Sequence, residues 1–458
     1  LIANRGKPPR GGAVQLDIFF SISQTPVDGH TPTEAEMFRA FFRQVEAADA
    51  QGYGVAWVAE SHLSSEVQKH NRRPVIPHWQ GEVGLNANLP LLAAYVFQRT
   101  RRIEVGSAVM NIHTMGGPIA AAERIATMLS LHGMERSERR RLHAGFSAGR
   151  FEFMNEACGI VPRDAVEAAA WPAVKNLVFR EASELFIRLL RGDTLSSDDL
   201  APSVLRRETC WVRADCAACG HGWDLPFARR DAAACPRCGV AGPAISEPLW
   251  DRIRAAAGGA PDEVRLAPRW SFERLRIVPQ AWRRDLLQLV IGSHDPELQT
   301  YVNTLAPVQV FNLSITQPAV IEATHTRMAT AYHPDGGPWQ RAYMPRTTFV
   351  FLDATPGLSP EAQRERAHLA ARKALGAYWT ALEGTLDPAK VASATDNALI
   401  GDPDTVADQI VARFHPEDRL MLWFDFFNHD CDAVIAAQQA FIDEVVPRLR
   451  ARGVPLPS

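Results

Sequence analysis

The stretch Gly52-Tyr53-Gly54-Val55-Ala56-Trp57-Val58-Ala59-Glu60-Ser61-His62 runs from a glycine stop, through a short apolar run, into three polar residues. A brief continuous apolar run bounded by turn signals is expected of a strand buried on both faces. Upstream, Thr33 and Glu36 make a capping box for a helix from about Glu34 to Ala50. Phe38, Phe41, Phe42 and Val45 form one face of it, and Gly52 supplies the stop. Before that helix, Val14–Ile22 carries the dense run Ile18-Phe19-Phe20, which predicts another buried strand. Strand, helix and strand in this order make one unit of parallel sheet with a crossover helix.

The unit repeats. Further strands are predicted at Ile103–Met110, Arg141–Phe146, Leu287–Ile291, Val308–Leu313, Thr347–Leu352 and Leu420–Phe424, which brings the total to eight. Asp402-Pro403 is an N-cap followed by proline at the first helical position. A final helix is expected over Asp432–Arg450. Eight strands with intervening helices predict a (β/α)8 TIM-type barrel, an α/β fold, interrupted once between the fourth and fifth strands. The expected boundaries are 1–200 and 266–458 for the two parts of the barrel and 201–265 for the insert. From Leu200 to Ala267 the chain is rich in Ala, Gly, Pro, Arg and Cys, with little periodicity outside Glu247–Ala257.

Composition excludes several classes. In 458 residues, 46% hydrophobic and 22% charged, there is nothing disordered or fibrous. A net charge of −3 gives no broad attraction to nucleic acid or to a membrane surface. The longest apolar stretch, about Leu89 to Phe97, falls well short of the ~18 residues that span a bilayer. The stretch Leu1-Ile-Ala-Asn-Arg-Gly-Lys-Pro-Pro-Arg-Gly-Gly12 lacks the apolar core of a secretory signal, and a cytoplasmic protein is expected.

Cys216-Ala-Ala-Cys219 and Cys235-Pro-Arg-Cys238 are two C-x2-C pairs, each followed by glycine. Two thiolates in one tight turn can reach a single ion, and two such turns complete a tetrahedral sulfur shell suited to Zn2+, with iron in a rubredoxin-like site as the minor alternative. A closed four-thiolate shell has no open position for substrate. A structural role in a small insert is therefore expected, with partner docking compatible with it.

In a barrel of this kind, polar residues at the C-terminal ends of strands read as active-site residues. Glu60, Ser61 and His62 stand at such an end and are the catalytic candidates. Their block resembles the second strand of the bacterial-luciferase-like family, where Glu-His-His is usual; Ser61 stands in place of the first histidine. Thr100–Val109 with Pro118 and Ala122-Glu123-Arg124, Leu142–Phe153, and Leu399-Ile-Gly401-Asp-Pro403-Asp-Thr-Val406 resemble the family in the same order. The resemblance covers about residues 14–195 and 268–450.

The resemblance implies reduced FMN, delivered by a separate flavin reductase, bound at the C-terminal mouth of the barrel. With O2 it would form a C4a-peroxyflavin that oxidises a small organic or carrier-bound substrate. Ser107, Ala108 and Val109 match the point where the family often has a non-prolyl cis peptide against the flavin ring. Gly292-Ser293-His294-Asp295-Pro296 matches the family's phosphate turn, and Gly149-Arg150 follows the fourth strand where an arginine can reach the phosphate. A homodimer is also implied. The alternatives left open are a deazaflavin-dependent hydride-transfer enzyme and a non-catalytic flavin-binding protein whose zinc insert docks a partner.

Overall fold

The computed structural model describes residues 14–259, 262–383 and 388–456. The stretch Leu1–Gly12, read above for a missing signal, lies outside them. The chain forms two compact units, Leu1–Asn155 with Ile277–Ser458, and Glu156–Arg276.

The first unit is a curled parallel sheet. Its strands are β1 (Gln15–Phe20), β2 (Val55–Val58), β3 (Glu104–Ser107), β4 (Leu142–Ser147), β5 (Leu287–Ile291), β6 (Val308–Val310), β7 (Arg346–Leu352) and β8 (Arg419–Trp423). Hydrogen bonding runs in the order β6-β5-β4-β3-β2-β1-β8-β7, all parallel, and a parallel bridge between Asn312 and Arg346 joins the two ends. This is the predicted eight-strand order, with the interruption between β4 and β5. An additional short strand, Leu399–Gly401, pairs with the C-terminal half of β7. Three residues are too few to carry a period, so no strand is predicted there from the sequence.

Helix α1 (Glu34–Gln51) begins at the predicted capping box, with Thr33 Oγ1 accepting from Glu36 N–H, and ends at left-handed Gly52. Asp402 caps α2 (Pro403–Arg413) in the predicted way, accepting from Thr405 N–H at 2.9 Å. The final helix departs from expectation. It runs as Cys431–Ala440, a π turn over Phe441–Val445, and Val446–Ala451. Pro447 lacks an N–H to continue the regular ladder, and the widened turn precedes it.

Inside the barrel, Phe19, Val55, Trp57, Val290, Phe311 and Met421 form the core, with Ala108, Val109 and Trp423 against it. Trp57 fills its place only because Gly106 lies opposite: a Cβ there would fall on the indole. Toward the N-terminal ends the interior is ionic. Buried Asp17 accepts from Trp57 Nε1 at 2.7 Å and from Val55 N–H at 3.0 Å, and pairs with Arg419 at 2.6 Å. Burial raises the Asp17 pKa, and Arg419 opposes that. Glu104 lies 2.6 Å from buried His143 and 3.0 Å from Arg141. Burial alone would raise Glu104, yet these partners hold it at about 2. Burial pushes the His143 pKa down, and its short contact with Glu104 opposes that.

The second unit has its own core of Ile160, Val174, Val178, Leu205, Trp250 and Ile253, with Trp171 and Trp270 packed on it. It also holds two small antiparallel sheets, Ser203–Arg206 with Glu263–Leu266, and Gly222–Pro226, Trp211–Asp215 and Ala244–Ser246. The strands span three to five residues, which is why the sequence showed so little periodicity there.

Candidate functional site

The four cysteines converge. Their sulfurs all lie within 4.8 Å of one another, with Cys216–Cys238 and Cys219–Cys235 each at 3.6 Å. A tetrahedral zinc–thiolate shell with bonds of about 2.3 Å has sulfur edges of about 3.8 Å, so the donor set fits the ion. The two turns are built alike. Gly220 N–H donates to Cys216 O and Gly239 N–H to Cys235 O, both glycines at positive φ where a side chain would be strained. His221 stacks on Trp223 and stands outside the ligand group. The core beside this shell is Val212, Ala214, Leu225, Phe227 and Ala233. Five buried side chains with Trp223 against them are a slight core for such a lobe, and a metal can stabilise it where they do not suffice.

At the C-terminal end of β2, Glu60 is fully shielded and His62 is 12% exposed. Glu60 Oε1 lies 3.0 Å from His62 Nε2, and Oε2 accepts the Leu89 N–H at 3.2 Å, at the start of the helix Leu89–Arg99. Ser61 Oγ is buried and finds no partner among the described residues. On β3, the register that sets Gly106 against Trp57 turns the Ser107 side chain to the helix-facing side. Ala108 and Val109, joined by a cis peptide bond, pack on the interior cluster. Val109 is seated between glycines: a Cβ at Gly145 would meet Ser107 O and Val109 Cγ1, and one at Gly292 would meet Val109 Cγ2.

The loops after β3 and β4 are tied by two asparagines that sequence reasoning missed. Asn111 Nδ2 donates to Asn155 Oδ1, and Asn155 Nδ2 donates to Ala148 O, both at 2.8 Å. Gly149, at positive φ, lies directly over Asn111, where a Cβ would have no room. Arg150 is exposed, with its guanidinium 5.3 Å from the Phe151 ring centre and close to Tyr378. In the turn after β5, Ser293 Oγ accepts from Asp295 N–H at 3.2 Å, and His294 Nε2 lies 3.5 Å from Thr316 Oγ1. Asp295 caps the helix Pro296–Val302, accepting from Glu297 and Leu298 N–H, so its own carboxylate occupies that helix end. None of the described contacts joins Arg150 to this turn.

Asp425, two residues past β8, was also missed. Its Oδ1 is shielded without a well-formed hydrogen bond, as is Trp423 Nε1 nearby, and burial pushes the Asp425 pKa up to about 7. The rule that singled out Glu60, a polar residue just beyond a barrel strand, would have found it. Around it lies an aromatic cluster: Trp423 stands 4.4 Å from Phe19 and 4.9 Å from Phe349, and Phe426 stands 4.3 Å from Phe349 and 4.9 Å from Tyr378. The C-terminal mouth is thus apolar, with Ser61 Oγ shielded and unpartnered among the described residues, and Trp423 Nε1 and Asp425 facing one another in a loose contact. Shielded polar groups are normally paired, so these fit a bound polar ring system or water.

Residues 18–133, from within β1 through the helix after β3, match the family model described as luciferase-like monooxygenase. No curated protein matches in sequence. Solved structures match over nearly the whole chain. Monooxygenase RslO1 from Streptomyces bottropensis aligns at 14% identity and TM-score 0.57, covering 95% of this chain and 99% of that one. The oxygenating constituent of 3,6-diketocamphane monooxygenase from the CAM plasmid of Pseudomonas putida, solved with FMN, aligns at 14% identity and TM-score 0.51, covering 97% and 100%. DmoA from Hyphomicrobium sulfonivorans aligns at 12% identity and TM-score 0.53, covering 97% and 90%. At these identities the structures establish the fold alone. Among the described residues, no helix is long and apolar enough to cross a membrane.

Proposed function

We propose that this chain, a luciferase-like protein, is a two-component monooxygenase that takes FMNH2 from a separate reductase and O2 from solution to oxidise a small apolar organic substrate. The observation that carries this reading is the Glu60–His62 pair at the end of β2, where a buried carboxylate fixes one ring nitrogen of a slightly exposed histidine. It stands at the same end of the barrel as the shielded polar atoms of Ser61, Trp423 and Asp425. The flavin would supply the oxygen chemistry; the chain supplies position, dryness and protons.

With Nε2 engaged by Glu60, His62 has Nδ1 to hold or deliver a proton toward the reacting atoms. Asp425 holds a carboxyl proton near neutrality, because burial has raised its pKa to about 7. Ala108 and Val109 give the flavin ring an apolar wall, kept open by Gly145 and Gly292. Ser293 Oγ, with Arg150 from the fourth loop, is assigned to the phosphate. Phe19, Phe349, Phe426 and Tyr378 exclude water from the mouth, which strengthens every polar contact made there. Zn2+ on Cys216, Cys219, Cys235 and Cys238 is structural, and the working form is a homodimer in the cytoplasm.

The test is rapid mixing of the protein, loaded anaerobically with FMNH2, against oxygenated buffer while flavin absorbance is recorded. A delay in the return of oxidised flavin, longer than for free FMNH2 and shortened by substrate, is the expected result. Oxidation at the free-flavin rate with saturating protein would overturn the reading. Tight binding of a deazaflavin with indifference to O2 would replace it by hydride transfer.

A further inference from the structure

The large cavity of the barrel unit is at the opposite end from Glu60 and Asp425. It is an open cleft among the N-terminal ends of the strands, with a volume of about 1550 Å3, and has Asp17, Gly54, Glu104 and Gln309 among its lining residues. Seven arginines line it against four carboxylates, which leaves a surplus of positive charge.

Three of the carboxylates are already paired. Asp17 meets Arg419 at 2.6 Å, Glu104 meets Arg141 at 3.0 Å, and Asp285 meets Arg283 at 2.6 Å. At the rim, Arg102 donates to the carbonyls of Asp49 and Ala50, and Arg139 to those of Arg136 and Glu138. Among the described residues, no ion pair within 4.0 Å involves Arg102, Arg136 or Arg139; Asp49 is a more distant charge neighbour of Arg102, and Asp285 of Arg139. The stretch Glu135-Arg-Ser-Glu138-Arg-Arg-Arg141, which in the sequence looks like a solvated charged turn, thus has a divided use. Arg140 turns to Glu138 at 2.6 Å, while Arg136, Arg139 and Arg141 face the cavity.

Gln309 is an independent indication of a ligand. It lines the cavity, is 3% exposed, and its Oε1 is shielded with no donor among the described residues. A buried amide oxygen left unpaired is costly, so this position suits a ligand O–H or N–H. Guanidinium groups with no carboxylate in direct contact suit a phosphate, which Arg136 can meet with two parallel N–H groups and Arg102 and Arg139 with the N–H groups their backbone acceptors leave.

We propose that the N-terminal mouth of the barrel is a second ligand site, for a phosphate-bearing metabolite with a hydroxyl or amino group. The phosphate lies on Arg136 and Arg139 with Arg102, and the hydroxyl or amine reaches Gln309. A nucleotide and a sugar phosphate share this chemistry. Calorimetric titration of the full-length protein with ADP, fructose 6-phosphate and inorganic pyrophosphate tests the site and separates the sources. Saturable binding of ADP or of the sugar phosphate is expected, weakening as salt is raised. The exposed double variant Arg136→Gln/Arg139→Gln should lower that affinity by about tenfold or more, with FMN affinity at the other mouth unchanged. Gln309→Leu should weaken the organic phosphate while leaving pyrophosphate as it was. Absence of saturable binding for all three probes at millimolar concentration overturns the proposal, as does unchanged affinity in the double variant.

Discussion

Glu60 Oε1 lies 3.0 Å from His62 Nε2, and the other oxygen of the same carboxylate accepts the backbone N–H of Leu89 at 3.2 Å. One buried acid thus orients a histidine and caps a neighbouring helix. The two jobs separate under mutation. His62→Gln, whose amide N–H can still meet Glu60 Oε1, is expected to lower kcat by about 10²-fold while FMN affinity and melting temperature hold, as for loss of a positioned proton donor or acceptor. Glu60→Ala should do the same and also destabilise the fold by about 1 kcal/mol, because the Leu89 N–H loses its acceptor. Equal melting temperatures for the two variants would contradict the dual role.

The cysteine shell should be the staple of its lobe. Cys235→Ser, or treatment with a strong chelator, is expected to abolish zinc in elemental analysis and open the region around 206–247 to proteolysis. The barrel has its own core, and under the proposed function FMN binding should be unchanged. A lobe that resists protease equally with and without zinc would sink this assignment.

The glycines beside Val109 should rank in order of cost. At Gly145 a Cβ would run into backbone, Ser107 O, which cannot step aside; at Gly292 the nearest atom belongs to the Val109 side chain. Gly145→Ala should therefore destabilise by about 1–3 kcal/mol and Gly292→Ala by less, read from urea midpoints. The reverse order would mean that the strands move apart more readily than Val109 repacks.

Two buried groups should tilt the pH dependence of stability in opposite directions. Burial holds His325 at about 4 against an ordinary 6.5, and its Nδ1 accepts from Trp339 Nε1 at 3.1 Å. Its stabilisation is present above the ordinary value and is lost as pH falls through that window, because the unfolded chain takes up the proton first. His325→Asn should flatten the loss of stability between about pH 7 and pH 5.

Asp425 works the other way. Its folded value near 7 lies above its ordinary 3.8, so stability is lost as pH rises through that range. Asp425→Asn should raise the urea midpoint at about pH 8 and change little at about pH 4. A variant midpoint that tracks the parent at both values would show that the carboxyl is not held protonated.

What could be read in the sequence was local. The apolar run Val55–Val58, the Thr33–Glu36 box, left-handed Gly52 and the cap at Asp402 are decided within a few residues of themselves, and they stand where expected. The two cysteine turns are equally local, since each C-x2-C-Gly turn brings two sulfurs to one side. The final helix is an instructive exception, because its apolar spacing continues through the π turn although the regular hydrogen bonds do not.

Periodicity, capping and cysteine spacing are short-range effects, so the eight strands and the pairing of the four cysteines into two turns were legible along the chain. Only the tertiary structure decided that Gly106 makes room for Trp57, that Asn111 and Asn155 tie two loops, and that Asp425 is held near neutrality under aromatic rings. It also decided that Arg136 and Arg139 share a cavity with Gln309, about 170 residues away along the chain. Burial, charge pairing and close approach are properties of neighbours in space, and barrel closure brings together residues that no short-range pattern relates.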